Sequence, residues 1–188
     1  MKEVSGRNFG LLIAYVLPGL ALLWAASPLS PEIRSLLTAA PVGDAQAPTV
    51  GGFLYVTLAS VAAGILSSTI RWALLDPIHH RTGIPRPAWD DSQLQKNLDA
   101  FEALVEAHFR YYQHYANSLV AMFFALAMRL AAINGCLSRL EPTDIGILLI
   151  TILYWAGSRD TLRRYYARAA FLLGTVDKEP DHDERAQL

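Results

Sequence analysis

A chain of 188 residues has the length of one domain, and 53% hydrophobic against 18% charged residues is too little charge for an ordinary soluble one, where about 25% is usual. Its net charge of −1 argues against a broadly basic nucleic-acid binder, and its single cysteine excludes an intrachain disulfide. Charge is segregated: residues 8–31, 45–70, 111–128 and 145–158 hold none, and charged residues crowd the stretches between. Such runs belong to helices that use lipid as solvent, each needing about 20 apolar residues to cross a bilayer.

The first predicted span covers 9–27. Lys2 and Arg7 give it a basic start, and Ala25-Ala26 resembles a cleavage site. Its apolar run is longer than a signal-peptide core of about 7–15 residues, and Trp24 would stand where cleavage needs a small residue, so the segment is read as a retained helix. Pro18-Gly19 near its middle predicts a kink. A Pro- and Ala-rich loop follows, with a short surface helix expected after Ser30, starting at Pro31.

The second span, 50–71, ends on Arg71-Trp72, a basic and aromatic pair suited to the interface. Ser60, Gly64 and Ser68 recur every fourth residue and define a helix-packing seam, because small side chains let two backbones approach closely. Residues 72–110 read as a linker and stalk outside the membrane. Three prolines and a glycine from Asp76 to Trp89 argue against helix there, and Asp90, Asp91 or Ser92 is the expected cap of the next helix. His79-His80, with Asp76, Asp90 and His108, is the one grouping that resembles a metal site; adjacent histidines in extended backbone diverge, and no metal is assigned.

From Leu94 an apolar four-three spacing runs through Leu98, Phe101, Val105, His108, Tyr112, Tyr115, Leu119, Met122 and Leu126. It predicts one continuous helix from about Ser92 to about Ile133, with a coiled-coil-like seam leading from a projecting stalk into the third span, 111–132. The fourth span, 143–159, is short, and the stem of Arg159 extends it. Its helical pattern continues over 160–174 to a stop at Gly174, so the third and fourth helices are expected to form an antiparallel hairpin reaching into the cytoplasm. The tail 175–188 is polar and charge-rich, as disordered segments are. Cys136 falls in the short loop between these two spans.

Of the 16 Lys and Arg, only Arg34, Arg129 and Arg139 fall on one side of this layout. The remainder lie on the tails and the 72–110 segment or at its edges, which places both termini in the cytoplasm of a bacterial inner (plasma) membrane. The expected fold is all-α and polytopic, with four transmembrane helices in one membrane domain. At the inner boundary, Arg110-Tyr111-Tyr112 mirrors Arg164-Tyr165-Tyr166. His108, Arg110, Tyr112, His114, Asn117, Arg164 and Tyr166 therefore form a candidate polar cluster, since polar groups at membrane depth are costly unless paired. No catalytic motif and no cofactor signature is present. The function expected is a non-enzymatic oligomeric membrane module, a scaffold, sensor or small pore. The alternatives are a transporter or channel subunit for a small solute and, more remotely, a lipid-modifying enzyme. The expected partners are the lipid bilayer, further copies of the chain and a cytoplasmic protein received by the stalk, with no nucleic acid.

Overall fold

The computed structural model describes residues 10, 12–38, 50–132 and 141–174, and most of these are helical with no β-strand among them. Five helices follow in order: α1 (Leu12–Ala26), α2 (Pro31–Thr38), α3 (Val50–Arg81), α4 (Leu98–Ala132) and α5 (Pro142–Leu173). Helices α3, α4 and α5 are each long and apolar enough to cross a membrane. Their 32, 35 and 32 residues correspond to about 48, 52 and 48 Å, against about 30 Å of hydrocarbon. Helix α1 is apolar but shorter, a five-residue π turn followed by ten α-helical residues. Lys2, Arg7, Cys136 and the tail 175–188 lie outside the described residues, as does most of the loop before α3.

Helix α1 lies between α3 and α4, and α4 packs along α5. Glycine makes the α1–α3 contact possible. A Cβ on Gly19 would stand 1.7 Å from the Ser60 carbonyl oxygen, and one on Gly64 would stand 2.1 Å from that of Tyr15. At this separation the two backbones attract each other directly by dispersion. The α4–α5 seam is aromatic and aliphatic: Leu104, Tyr112, Leu119, Leu162, Tyr165 and Ala169 are buried together, joined by Leu75 and Ile84 from the segment after the second span. At the opposite end Arg129 clamps the hairpin, donating to both Asp144 carboxylate oxygens at 2.7 and 3.0 Å. Asp144 also accepts from the Glu141 amide in a capping box that starts α5.

Three sequence expectations are corrected. Helix does not stop before Pro77: residues Asp76–Arg81 are α-helical and continue α3. A π turn over Arg71–Leu75 precedes the proline, and the Asp76 amide bonds back to Arg71. The wider turn accommodates a ring that a regular α-helix excludes. Pro18 in α1 is preceded by the same device, a π turn over Leu12–Val16. The second correction is the start of α4, which begins at Leu98 with Asn97 in the capping position, not near Ser92. Asp90 instead caps a separate 3-10 turn over Asp91–Gln93, accepting from the Ser92 amide at 3.0 Å. Its hydrogen bonds with Ser92 hold its carboxyl below the ordinary aspartate range.

The heptad seam is also re-registered. A third π turn, Val105–Phe109, absorbs one extra residue. On its near side the buried position is therefore Leu104 and not Val105, and on its far side the expected Tyr112 and Leu119 are buried. Leu98 is 49% exposed. The segment does not project alone: Phe101 and Val105 pack on the core that α5 and Trp89 share.

Candidate functional site

The residues expected to form one polar cluster do not meet: Arg110, His114 and Asn117 turn to one face of α4, Tyr112 and Tyr166 to the side of α3, and His108 and Arg164 to neither. The first face meets α1. Pro18 has no amide hydrogen, so the Ala14 carbonyl loses its regular helical donor, and the π turn disturbs its neighbours. Asn117, fully buried, donates its side-chain amide to Ala14 O at 2.8 Å. His114 Nδ1 is 3.1 Å from Ile13 O. Gln113 donates to the Tyr15 hydroxyl at 3.4 Å and accepts from Arg110 at 3.0 Å. His114 and Asn117 thus serve the backbone of α1; Tyr112 and Tyr166, placed with them in the expected cluster, are engaged elsewhere. This is how an apolar helix tolerates a proline without water, through side chains of a neighbour that satisfy the freed carbonyls.

The second face meets α3 and α5, and here the structure assembles residues that the sequence reading did not join. Ser60, Gly64 and Ser67 are buried along α3, and the stripe continues through Arg71, Leu75 and His79. Ser68, the third expected seam residue, is half-buried beside it. Arg71 is only 6% exposed. Its Nε lies 3.8 Å from Asp76 Oδ1, and its guanidinium sits over the Tyr112 ring at 5.3 Å. Tyr112 donates its hydroxyl to the same carboxylate oxygen in a short hydrogen bond. Removing two charges from water costs several kcal/mol per ion, which the pair, the phenol and the ring offset. The compensation is incomplete, because Arg71 Nε and Nη1 are buried without a hydrogen-bond partner.

One turn further, His79 is fully buried, with its ring 4.9 Å from that of Trp155. Its Nε2 is 3.2 Å from Ser158 Oγ. The Ser158 hydroxyl is itself spent on the Trp155 carbonyl at 2.9 Å, so the ring donates to the serine. Nδ1 is left as a buried lone pair with no hydrogen-bond partner. His80 turns away and bonds the Tyr166 hydroxyl at 3.0 Å. The adjacent histidines therefore diverge, and no three His, Cys, Asp or Glu side chains converge among the described residues.

Over this cluster, Arg159 donates to the Thr82 carbonyl at 2.6 Å, and Trp89 stands edge-on to Tyr165 and Tyr166 at 6.0 Å. His108 and Arg164 belong to neither face. His108 meets Arg168 on the surface, and Arg164 is exposed and paired with Asp160 at 2.9 Å.

The signal for the second face was present: spacings of four, three, four, four and four link Ser60, Gly64, Ser67, Arg71, Leu75 and His79. Ending the helix before Pro77 cut that stripe short. No protein-family profile matches the chain, and no curated protein or solved structure does so either. The fold and this geometry define its class: a helical protein with three membrane-length apolar helices among the described residues.

Proposed function

We propose that this is a non-enzymatic integral membrane module of the plasma membrane, with four spans and both termini in the cytoplasm. It associates with further copies and receives a cytoplasmic protein on its helical extension. Helix α1 is the fourth span, drawing on the uncharged run that begins at residue 8. The observation that carries the proposal is the shared core. Helices α3, α4 and α5 each exceed the hydrocarbon by about 18–22 Å, and the ends that carry this excess pack with Trp89 and Ile84 into one cluster continuous with the spans. A load on that extension reaches the membrane helices through packed side chains and not through a flexible linker.

The outer face of the extension is shaped for contact. Phe171 is 94% exposed on the same helix as the exposed Arg163, Arg164 and Arg168. An exposed aromatic ring on the same helix as exposed arginines is a common composition for an interface core. The Ser158–His79 pair supports a non-enzymatic reading, because the serine proton is committed to a backbone carbonyl and the imidazole is a donor to it, the reverse of a nucleophile facing its base.

A photoreactive phenylalanine analogue at position 171, compared with one at the lipid-facing Leu153, tests the reading in intact cells. The expected result is a discrete protein adduct from position 171, either a second copy or one cytoplasmic protein, and lipid adducts from position 153. Lipid adducts alone at both positions overturn it.

A further inference from the structure

We infer that the end of α3, residues 76–82, is an acid-released latch on α5, held closed by a neutral His79. It is fastened where His79 Nε2 reaches Ser158 Oγ at 3.2 Å, His80 bonds the Tyr166 hydroxyl at 3.0 Å, and Arg159 donates to the Thr82 carbonyl at 2.6 Å. Two breaks in regular helix bound the segment: the π turn over Arg71–Leu75 on one side and Gly83, at φ +96°, on the other. The short helical stretch between them can therefore move as a unit. It lies beyond the Arg71-Trp72 pair, in the part of α3 that the proposed topology puts in the cytoplasm. The inference concerns this extension itself and stands whether or not a partner binds there.

Of these contacts only the first fails on protonation. His80 is half-buried and can donate to the phenol oxygen in either charge state, and the Arg159 bond does not titrate in this range. His79 is fully buried, and its Nδ1 has no hydrogen-bond partner. Its Nε2 proton goes to Ser158, whose own proton goes to the Trp155 carbonyl. A second proton would enter at Nδ1 and find no acceptor. The groups packed around the ring do not supply one. From α5 come the Trp155 ring at 4.9 Å and the Arg159 cation, from α4 the Tyr112 ring at 6.2 Å, and from α3 itself Asp76 and His80. The linker adds the apolar Ile84, whose amide bonds the His79 carbonyl. Asp76 favours the charged form, but its carboxylate is engaged by Tyr112 and paired with Arg71. Burial away from water, and then Arg159, prevail, and the His79 pKa is lowered from 6.5 to about 4. The closed latch is therefore fully stabilised above pH 6.5, and that stabilisation is lost as pH falls towards 4. With an ordinary histidine pKa in the open state, the closed-to-open ratio drops about thirtyfold between pH 8 and pH 5.

The test is fluorine NMR of the full chain in nanodiscs or mild detergent, labelled with fluorotryptophan and titrated from pH 8 to pH 5. Single Trp→Phe substitutions assign the four tryptophan resonances. The Trp155 resonance is expected to shift or split as pH falls below 6.5, because its ring lies against His79, while that of Trp24 on α1 stays in place. His79→Gln keeps a donor for Ser158 but cannot titrate, and should hold the Trp155 resonance at its pH 8 position throughout. Ser158→Ala removes the acceptor that helps to close the latch and should raise the midpoint of the change; it carries the test if the glutamine variant is unfolded at pH 8. His80→Gln should leave the change in place. A wild-type Trp155 resonance that is constant from pH 8 to pH 5 overturns the latch, as does a change that persists in His79→Gln or an unmoved midpoint in Ser158→Ala. Movement of all four resonances together shows global acid unfolding and overturns it as well.

Discussion

Asn117 illustrates how a single polar side chain inside an apolar, membrane-length helix acquires its reason from another helix. Its amide replaces the donor that Pro18 removed, and the neutral pair is local to α1 and α4. Interhelical hydrogen bonds of this kind are worth about 0.6–2 kcal/mol. Asn117→Ala should therefore lower stability in mild detergent by about 1–2 kcal/mol, because a buried carbonyl is left unmade. Pro18→Ala restores an amide hydrogen two turns into α1. In that background the cost of Asn117→Ala should fall to less than half, as a double-mutant cycle of thermal or denaturant unfolding will read. An undiminished cost means that Asn117 matters for packing and not for the Ala14 carbonyl. Tyr112 is the corresponding residue on the other face, where its hydroxyl and ring meet Asp76 and Arg71.

At the scale of the element, glycine decides which helices touch. Gly64 and Gly146 stand on apolar helices of similar length, yet a methyl group added to Gly64 collides with the Tyr15 backbone at 2.1 Å while one on Gly146 meets nothing within 4 Å. Gly64→Ala is expected to destabilise the α1–α3 pair by about 1–3 kcal/mol, the usual cost of overpacking a contact that cannot relax. Gly146→Ala should be neutral or stabilising by up to about 1 kcal/mol through helix propensity. Gly64→Leu should disrupt association of α1 outright, whereas Leu58→Ala, 69% exposed, should be nearly silent. Size-exclusion profiles and melting temperatures of the variants in one detergent provide the comparison. If Gly64→Leu keeps the wild-type size and melting temperature, the close approach is absent in the folded protein. The three π turns act at this scale as well. Two precede prolines, and the third shifts the α4 seam by one residue.

For the whole molecule, the distribution of Lys and Arg and the excess helix length make the same proposal about orientation. The ends rich in arginine are the ends that would outrun the hydrocarbon, so the proposed orientation puts the extension in the cytoplasm. In a Cys136→Ser background, single cysteines at positions 141, 86 and 164 should separate cleanly. A membrane-impermeant maleimide should label position 141 in intact cells, and positions 86 and 164 only after permeabilisation. All three positions are exposed in the folded chain, so access depends on the bilayer. Labelling of position 164 from outside reverses the topology and removes the basis for a cytoplasmic partner.

What the sequence determined by itself is the helical class, the apolar stretches and the close-packing glycine. Hydropathy and small-residue spacing are local and survive any tertiary arrangement, so Ser60 and Gly64 could be picked out by spacing alone. Even the continuation of α5 to Leu173 was legible, because no proline interrupts it between its first turn and Gly174. Tertiary structure decided the rest. Whether Pro77 ends a helix depends on a π turn stabilised by burial of Arg71 and Leu75, a choice no local propensity encodes. The candidate polar residues were visible one by one, but their grouping was not. Side chains three or four apart on α4 look like one cluster on paper, while Asn117 and His114 turn to α1 and Tyr112 turns to α3. Their division follows from which neighbouring backbone lacks a donor and which neighbouring charge lacks a counter-ion, and those deficits exist only once the helices are packed together.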